Sequence, residues 1–387
     1  MPVKNRFAEL HDDITAWRRD LHRHPEILFE THRTASLVAE KLREFGCDEV
    51  TTGIGRTGVV GVIHGRSTGS GRTIGLRADM DALPIHETTG AEWASTTEGA
   101  MHACGHDGHT AMLLGAARYL AETRNFDGTA VVIFQPAEEG GGGGREMCRD
   151  GLMERWGIEE VYGMHNWPGV PVGEFQIRPG AFFAATDLFE IEVEGRGGHA
   201  AKPHETIDTT VVAAQMVTAL QSIASRNADP VAQVVVSVTS FQTSSTAFNV
   251  IPQKVHLKGT VRTLSPEMRD LAETRMQGIC KGIAEAFGAT ARLDYVRNYP
   301  VMVNSEEQTA FAADVARSVS GECATADLVM GGEDFAFMLE ERPGAYILVG
   351  NGDTASVHSP DYDFNDAAIP AGCSWWAEIV ERRLPAA

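Results

Sequence analysis

The sequence has 387 residues, a formal net charge of −20, 43% hydrophobic residues and 22% charged residues. This length corresponds to about two domains of roughly 100–200 residues each, with enough apolar content for a sizeable packed core. The strong negative charge disfavours binding to nucleic-acid phosphates and to anionic membrane surfaces, because both repel an acidic protein.

The amino-terminal segment lacks the apolar core of a signal peptide, and no stretch approaches 18 consecutive apolar residues. We therefore expect a cytoplasmic protein without a membrane span. The six cysteines are scattered and form no Cys-x-x-Cys pair, which predicts no disulfide framework. Five of them fit the role of small core residues, and only Cys104 lies in a motif that suggests chemistry.

Hydrophobic periodicity predicts alternating helices and strands through the first half of the chain. The predicted helices are 7–27, 32–46 and 108–123; the predicted strands are 58–63, 73–77, 129–135 and a short one ending near His165. Short apolar strands between helices are typical of an α/β fold, so we predict a mixed sheet flanked by helices.

The pattern changes near residue 186. The predicted elements there are a strand at 187–194, a helix at 205–226, strands at 232–241 and 254–264, a helix at 266–287 and a strand at 290–296. This β-α-β-β-α-β order is typical of a ferredoxin-like α+β domain. We predict that it is inserted at 186–297 into a discontinuous first domain comprising 1–185 and 298–387.

Three of the 14 histidines lie within eight residues, in the segment Met-His-Ala-Cys-Gly-His-Asp-Gly-His at 101–109. Cys104 and His106 are two residues apart, so an irregular loop can direct both side chains to one ion. Thiolate and imidazole are good ligands for zinc and similar divalent metals. The competing interpretation is a helix start capped by Asp107, with incidental histidines.

Glu138 and Glu139 follow an apolar strand and precede five glycines. Two carboxylates beside a metal can divide the work, one binding the ion and the other taking a proton from the metal-bound water. The competing interpretation is a solvated acidic turn. His165 and His358 also end apolar segments. Together with the cysteine, His106 and Glu139, they give five candidate ligands, which suits two ions about 3.5–4 Å apart that share one ligand.

Six motifs in this order carry a resemblance that covers nearly the whole chain: Asp-Leu-His-Arg-His-Pro-Glu at 20–26, Gly-Leu-Arg-Ala-Asp-Met-Asp-Ala-Leu-Pro at 75–84, the histidine segment at 101–109, Gln-Pro-Ala-Glu-Glu-Gly-Gly at 135–141, Gly-Gly-His-Ala at 197–200 and Gly-Gly-Glu-Asp-Phe at 331–335. The sequence resembles the metal-dependent aminoacylase and carboxypeptidase family, peptidase M20. The most similar branch contains hippurate hydrolases, indole-acetyl-amino-acid hydrolases and N-acetyl-amino-acid deacetylases.

The resemblance implies a zinc-exopeptidase-like catalytic domain that binds two divalent ions. Zinc suits the ligands best, with manganese, cobalt or nickel as alternatives. It implies that Glu138 is the general base and that Asp81 supports the metal site, with Asp79 a weaker candidate for the same work. The implied metal ligands are Cys104, which bridges the two ions, with His106, Glu139, His165 and His358.

The inserted domain resembles the family's lid and dimerisation domain. The resemblance implies that His199 stabilises the oxyanion in the active site of a partner subunit, in a homodimer or homotetramer. Asn249 and Arg262 match positions that hold the substrate carboxylate, a task for which a planar guanidinium is well suited. The competing interpretation of Arg262 is a strand residue in a local salt bridge.

The predicted function is metal-dependent hydrolysis of the amide bond in an N-acyl-L-amino acid of acetyl, benzoyl or indole-acetyl type, by a water that Glu138 activates. A dipeptidase or carboxypeptidase acting on small peptides is the first alternative. A cysteine amidase with Cys104 as nucleophile and His106 as base is another, but it leaves both glutamates without a role. A non-catalytic protein that binds acylated amino acids is the least favoured, because binding requires no general base.

Overall fold

The protein is described here as a computed structural model that covers residues 4–386. Contacts divide the chain into two compact units. Unit 1 comprises the described residues up to Gly180, Val303–Asp327 and the residues from Asp334 onward; unit 2 comprises Ala181–Met302 and Leu328–Glu333. The sequence places the domain boundaries at 186 and 297, and these boundaries remain a prediction.

The described chain is built from short helices and strands. Its α-helices are α1 Asn5–Glu9, α2 His11–Arg23, α3 His32–Glu44, α4 His106–Thr123, α5 Gly143–Arg149, α6 Leu152–Arg155, α7 Thr209–Leu220, α8 Pro266–Ala286, α9 Glu306–Ser320, α10 Ala336–Glu341 and α11 Ile369–Arg383. Its strands are β1 Glu49–Ile54, β2 Gly58–His64, β3 Thr73–Asp79, β4 Thr129–Gln135, β5 Glu160–Pro168, β6 Phe175–Ile177, β7 Gly180–Phe183, β8 Ala185–Glu194, β9 Gly198–His199, β10 Val234–Thr243, β11 Val250–Ile251, β12 Lys254–Thr263, β13 Thr290–Tyr299, β14 Met302–Asn304, β15 Cys323–Thr325 and β16 Gly344–Gly352.

Unit 1 contains an eight-stranded sheet in the order β1-β2-β4-β3-β5-β16-β6-β15. Strand β3 is parallel to β4 and β5, and β5 is parallel to β16, whereas β2 is antiparallel to β4. The prediction of a mixed sheet flanked by helices is therefore confirmed. Parallel strands place their carboxyl ends at one edge of the sheet, which is where open α/β sheets usually bind ligands.

Helix α4 packs beside these strands and is buried along most of its length. Small residues such as Gly115 and Ala116 allow this, because Ile14 and Cys373 approach the helix closely; a Cβ added at Gly115 would lie 2.6 Å from Ile14 Cδ1. The core of unit 1 therefore fixes the first turn of α4, where His106 lies.

Unit 2 contains a four-stranded antiparallel sheet in the order β10-β12-β8-β13. Its elements follow the chain as β8-α7-β10-β12-α8-β13, the β-α-β-β-α-β order that the sequence predicts. Phe189, Ile191 and Val193 of β8 are buried, whereas Leu188 is exposed, as the alternation of a strand requires. The side chain of Ser265 accepts the N–H of Met268 and starts α8.

Two predicted helices differ from the structure in their bounds, and the structure contains a strand, β1, outside the predicted elements. Helix 7–27 is divided at Leu10 and ends at Arg23, because Pro25 disfavours helical geometry in the residue before it. Helix 205–226 begins only at Thr209, where the side chain of Asp208 accepts backbone N–H groups, and ends at Leu220, followed by a π-helical turn at Ile223–Asn227. Strand β1 was not predicted, because this largely exposed edge strand lacks an apolar face.

Within residues 4–386, no helix combines the length and the apolar character required to cross a lipid bilayer.

Candidate metal centre

All five predicted metal ligands lie together in unit 1. The potential ligand atoms of Cys104, His106 and His165 lie within 4.8 Å of one another, and those of Cys104, Glu139 and His358 do the same. Cys104 is thus the one ligand that the two triads share. This arrangement offers each of two cations three protein ligands, one of them a common thiolate.

The loop before α4 depends on Gly105. This residue has a φ of +89°, which favours glycine, and it directs Cys104 and His106 into the same site. A Cβ added at Gly105 would lie only 2.2 Å from Asn166 Nδ2 and 2.5 Å from Tyr362 Oη. The cysteine loop can therefore approach β5 this closely only with glycine at position 105.

The two glutamates are held through their backbone. Oδ1 of Asp81 accepts the N–H of Glu138 at 2.9 Å, and its Oδ2 accepts the N–H of Glu139 at 3.1 Å. Ala137 immediately before them has a φ of +54°, an unusual conformation for a residue with a side chain. The carboxylate of Asp81 thus stabilises the turn that brings both glutamates beside His106, with ligand atoms within 4.8 Å of it.

His358 also has a left-handed backbone, with a φ of +66°. Its N–H donates to the carbonyl oxygen of Ala103 at 2.7 Å, and its Nε2 lies 3.1 Å from Glu139 Oε1. Its side chain is 53% exposed, whereas His106 is fully buried, so the His358 side of the centre faces solvent. A strained, half-exposed histidine at such a place is typical of a functional site.

The hydrogen bonds assign proton positions to two histidines. His165 Nδ1 donates to the carbonyl oxygen of Asn166 at 2.6 Å, which leaves Nε2 without a proton and in hydrogen-bond contact with Cys104 Sγ at 3.4 Å. His109 Nε2 accepts the N–H of Asn166 at 2.9 Å, so its Nδ1 carries the proton and donates to Asp79 Oδ1 at 2.6 Å. Both ring nitrogens of His109 are therefore used in hydrogen bonds. The short contact between His109 and Asp79 is one of these hydrogen bonds and does not indicate a metal site.

The residues present fit a bound divalent cation. Both ring nitrogens of His106 are buried without a hydrogen-bond partner, although Nδ1 lies 3.4 Å from Asp81 Oδ1. Buried polar groups without partners are rare and each costs about 1–3 kcal/mol. A cation would satisfy such an imidazole, and the combination of sulfur, nitrogen and carboxylate oxygen matches zinc and related ions.

The electrostatics of the centre also favour a cation. Burial, followed by the charges of Glu139 and Glu138, holds the pKa of the Cys104 thiol well above its ordinary value. Burial lowers the pKa of His106, but the charge of Asp79 and contact with Asp81 outweigh it and raise that pKa to about 10.

A protonated thiol beside a protonated imidazole is a poor nucleophile and base pair, which disfavours the cysteine amidase hypothesis.

A buried ion cluster lies behind the centre. Arg77 donates to Asp79 at 2.8 Å, to Gln135 Oε1 at 2.8 Å and to Asp334 at 3.0 Å. Asp334 in turn accepts the N–H of Gly144 at 2.8 Å, in the first turn of α5. The cluster joins the ends of β3 and β4 to the glycine-rich segment that follows Glu139. Asp334 lies in the Gly-Gly-Glu-Asp-Phe motif that the sequence analysis singled out. Its hydrogen bonds to Arg77 and Gly144 could not be predicted from the sequence.

The three remaining predicted site residues lie in unit 2. His199 is exposed on β9 and pairs with Val250 of β11. The N–H of Ala200 donates to the carbonyl oxygen of Asn249 at 3.0 Å, so His199 and Asn249 lie side by side. Arg262 lies on β12, half-buried, and its Nη1 is buried without a hydrogen-bond partner. A guanidinium in this state has a donor available for an anionic ligand.

Comparisons with known proteins show which family and which structures this chain is similar to. Residues 75–382 match the sequence model of peptidase family M20/M25/M40. The chain is 42% identical to hippurate hydrolase from Campylobacter jejuni over 381 residues, 98% of each chain. It is 37% identical to N-acetylcysteine deacetylase from Bacillus subtilis over 371 residues, 96% of each. The structure is similar to that of a dinuclear metal-binding M20 peptidase from Bacillus subtilis, with a TM-score of 0.86, 34% identity and coverage of 97% of this chain and 99% of the other.

Proposed function

This chain belongs to peptidase family M20/M25/M40, and we propose that it hydrolyses the amide bond of N-acyl-L-amino acids to a carboxylic acid and a free amino acid. The observation that carries the proposal is the pair of ligand triads that share Cys104, with Glu138 beside them. Two relatives that align along nearly the whole chain are named for substrates of this class, hippurate and N-acetylcysteine.

We propose that the centre holds two divalent ions; the similar Bacillus subtilis structure is named a dinuclear metal-binding peptidase. One ion would be held by Cys104, His106 and His165, and the other by Cys104, Glu139 and His358. Zinc suits this set, and manganese, cobalt or nickel are alternatives. When bound, such ions lower the pKa of water and polarise a substrate carbonyl.

The proposed chemistry of the protein itself centres on Glu138. Its carboxylate accepts a proton from the attacking water as the oxygen bonds to the carbonyl carbon. As the C–N bond breaks, Glu138 returns that proton to the departing amine. The backbone N–H of Glu138 donates a hydrogen bond to Asp81, which fixes the backbone position from which the Glu138 side chain extends.

In this proposal unit 2 supplies the remaining groups. The resemblance to the family supports His199 as the donor to the developing oxyanion, which its exposed position on β9 permits. Asn249 and Arg262 would hold the carboxylate of the amino acid. The unpartnered Nη1 of Arg262 supports this assignment, because a buried guanidinium donor gains most from an anionic partner.

The test is amino-acid release from acetyl-, benzoyl- and indole-acetyl-amino acids by wild type and Glu138→Gln, with metal content measured in both. The substitution keeps the shape of the side chain but removes the base. We expect kcat to fall by about 10²–10⁴-fold at unchanged metal content. Glu98→Gln, in an exposed loop, is the matched control and should behave as wild type. Full activity in Glu138→Gln would remove the general-base assignment.

The same panel, extended with dipeptides, separates the alternative functions. Faster cleavage of dipeptides than of every N-acyl amino acid would indicate a dipeptidase or carboxypeptidase. Binding of N-acyl amino acids without turnover by the metal-loaded protein would indicate a binding protein.

A further inference from the structure

Asn166 connects several parts of the candidate metal centre. It follows His165 on β5 and is fully buried. Its carbonyl oxygen accepts from His165 Nδ1 at 2.6 Å, and its N–H donates to His109 Nε2 at 2.9 Å. Its side-chain Nδ2 donates to the carbonyl oxygen of Cys104 at 2.6 Å. One residue thus fixes the ring of one candidate ligand and the peptide group of another.

The side-chain oxygen of Asn166 is held by Tyr362. The Tyr362 hydroxyl donates to Asn166 Oδ1 at 2.6 Å, and the phenol is fully buried. A carbonyl oxygen only accepts hydrogen bonds, so Cys104 requires Nδ2 on its side and leaves Oδ1 facing Tyr362. Tyr362 lies four residues after His358 and therefore ties the segment of that ligand to the same amide.

We propose that Asn166 and Tyr362 are positioning residues that hold the ligands of both triads in one geometry. The inference rests on the proposed function, because it requires that the centre binds metal. Cys104 is common to both triads, so a rotation of its peptide group would displace a ligand of each ion. The amide of Asn166 opposes that rotation, and the Tyr362 hydroxyl fixes the amide.

The packing around the pair leaves no alternative arrangement for the amide. Gly105 lies so close that an added Cβ would be 2.2 Å from Asn166 Nδ2. Asn166 Nδ2 also lies 3.0 Å from His109 Nε2. That nitrogen carries no proton and can only accept a hydrogen bond, which again requires Nδ2 rather than Oδ1 on this side. Without the Tyr362 hydroxyl, the buried Asn166 Oδ1 loses its donor. The amide of Asn166 is then held less firmly, and so is its hydrogen bond to the Cys104 carbonyl.

The experiment compares Tyr362→Phe with wild type, both loaded with cobalt(II). We expect a chelator to remove the metal about 10-fold faster from the variant, because residues that orient metal ligands typically contribute about 10–100-fold to metal affinity. The visible absorption of the bound cobalt, which reports its coordination geometry, should also change. For an N-acyl amino acid substrate, kcat should fall while KM stays near the wild-type value.

Tyr162→Phe is the matched control. Tyr162 is a buried tyrosine on β5, the strand of Asn166, and its hydroxyl donates a hydrogen bond to Glu160 Oε2 at 2.8 Å. It should leave the chelation rate and the cobalt spectrum unchanged. If Tyr362 has a merely structural role, Tyr362→Phe should lower the melting temperature, as we expect of this control, without changing the cobalt spectrum.

Asn166→Asp is the second variant. It keeps the shape of the side chain and the acceptor for Tyr362, but it places a carboxylate oxygen against the Cys104 carbonyl. We expect it to release metal faster than Tyr362→Phe. If both variants show the chelation rate and the cobalt spectrum of the wild-type protein, the inference about Asn166 and Tyr362 is wrong, but the proposed function is unaffected. If the wild-type protein takes up no metal, both the inference and the proposed function are wrong.

Discussion

Near the candidate metal centre, buried charged residues outside the two triads set the protonation of their neighbours. His22 Nδ1 lies 2.8 Å from Asp107 Oδ2, next in sequence to His106, and its Nε2 lies 3.3 Å from Glu87. Burial lowers the pKa of His22, but the charge and hydrogen bond of Asp107, with Glu87, outweigh it and raise the pKa to about 9. The nearby Arg18 opposes the shift without reversing it.

This pair predicts a pH-dependent stability. The pKa of His22 in the folded protein exceeds its ordinary value of 6.5, so the interaction stabilises the fold fully below pH 6.5 and is lost as pH rises through about 9. The shift corresponds to about 3 kcal/mol. We expect His22→Gln to lower the melting temperature strongly at about pH 6 and little at about pH 10. Calorimetry at both values checks this, and an equal loss at both would contradict it.

At the scale of elements, the end of the long 80–105 connection between β3 and α4 brings the candidate ligands together. Gly105 ends that loop and caps α4 with a left-handed conformation, and Asn166 and Tyr362 pack directly against it. The element therefore combines two constraints, one on the backbone angle and one on space. They can be separated, because Gly99 in the same loop has a φ of +75° with no atom within 4 Å of an added Cβ.

We expect Gly105→Ala to reduce metal affinity and activity by more than about 10-fold, since the new Cβ must displace the Asn166 amide. Gly99→Ala should cost only the backbone strain, about 1–2 kcal/mol of unfolding free energy, with normal metal binding. Titration with metal and thermal unfolding of both variants measure the two effects. Equal metal affinity in the two variants would show that space around Gly105 does not matter.

At the scale of the whole molecule, the resemblance to the family predicts that an active site is completed by a second subunit. His199 lies on the surface of unit 2, on a two-residue strand beside Asn249. If His199 acts in the partner's site, a mixed dimer of Glu138→Ala and His199→Ala has one site with both residues intact.

We expect equal amounts of these two inactive variants, after dissociation and reassociation, to recover about a quarter of wild-type activity. Half of the dimers are then mixed, and each has one intact site of two. Glu138→Ala mixed with the Glu138→Ala, His199→Ala double variant is the control and should stay inactive. No recovery from verified mixed dimers would place His199 in its own subunit's site, whereas an active His199→Ala homodimer would place it outside the site.

The sequence alone predicted most elements of the fold, because periodicity and turn residues act locally. Strand 129–135 and helix 266–287 were placed within a residue or two, and the β-α-β-β-α-β order of unit 2 was predicted in full. Helix 7–27 was wrong at its end because a pattern of apolar residues outweighed Pro25. The residues that meet in the two triads were also predicted from motifs, although their roles as ligands remain a proposal.

Only the tertiary structure shows which residues contact the candidate ligands without belonging to the two triads. His102, His106 and His109 look alike in sequence, but only the contacts with Asn166 and Asp79 show that His109 has no free nitrogen. Asn166 and Tyr362 are 196 residues apart. No local pattern connects such a pair, because its hydrogen bond exists only once β5 and the segment after His358 are packed together. A sequence specifies the side chains that can bind a metal, whereas the fold specifies their orientation and protonation.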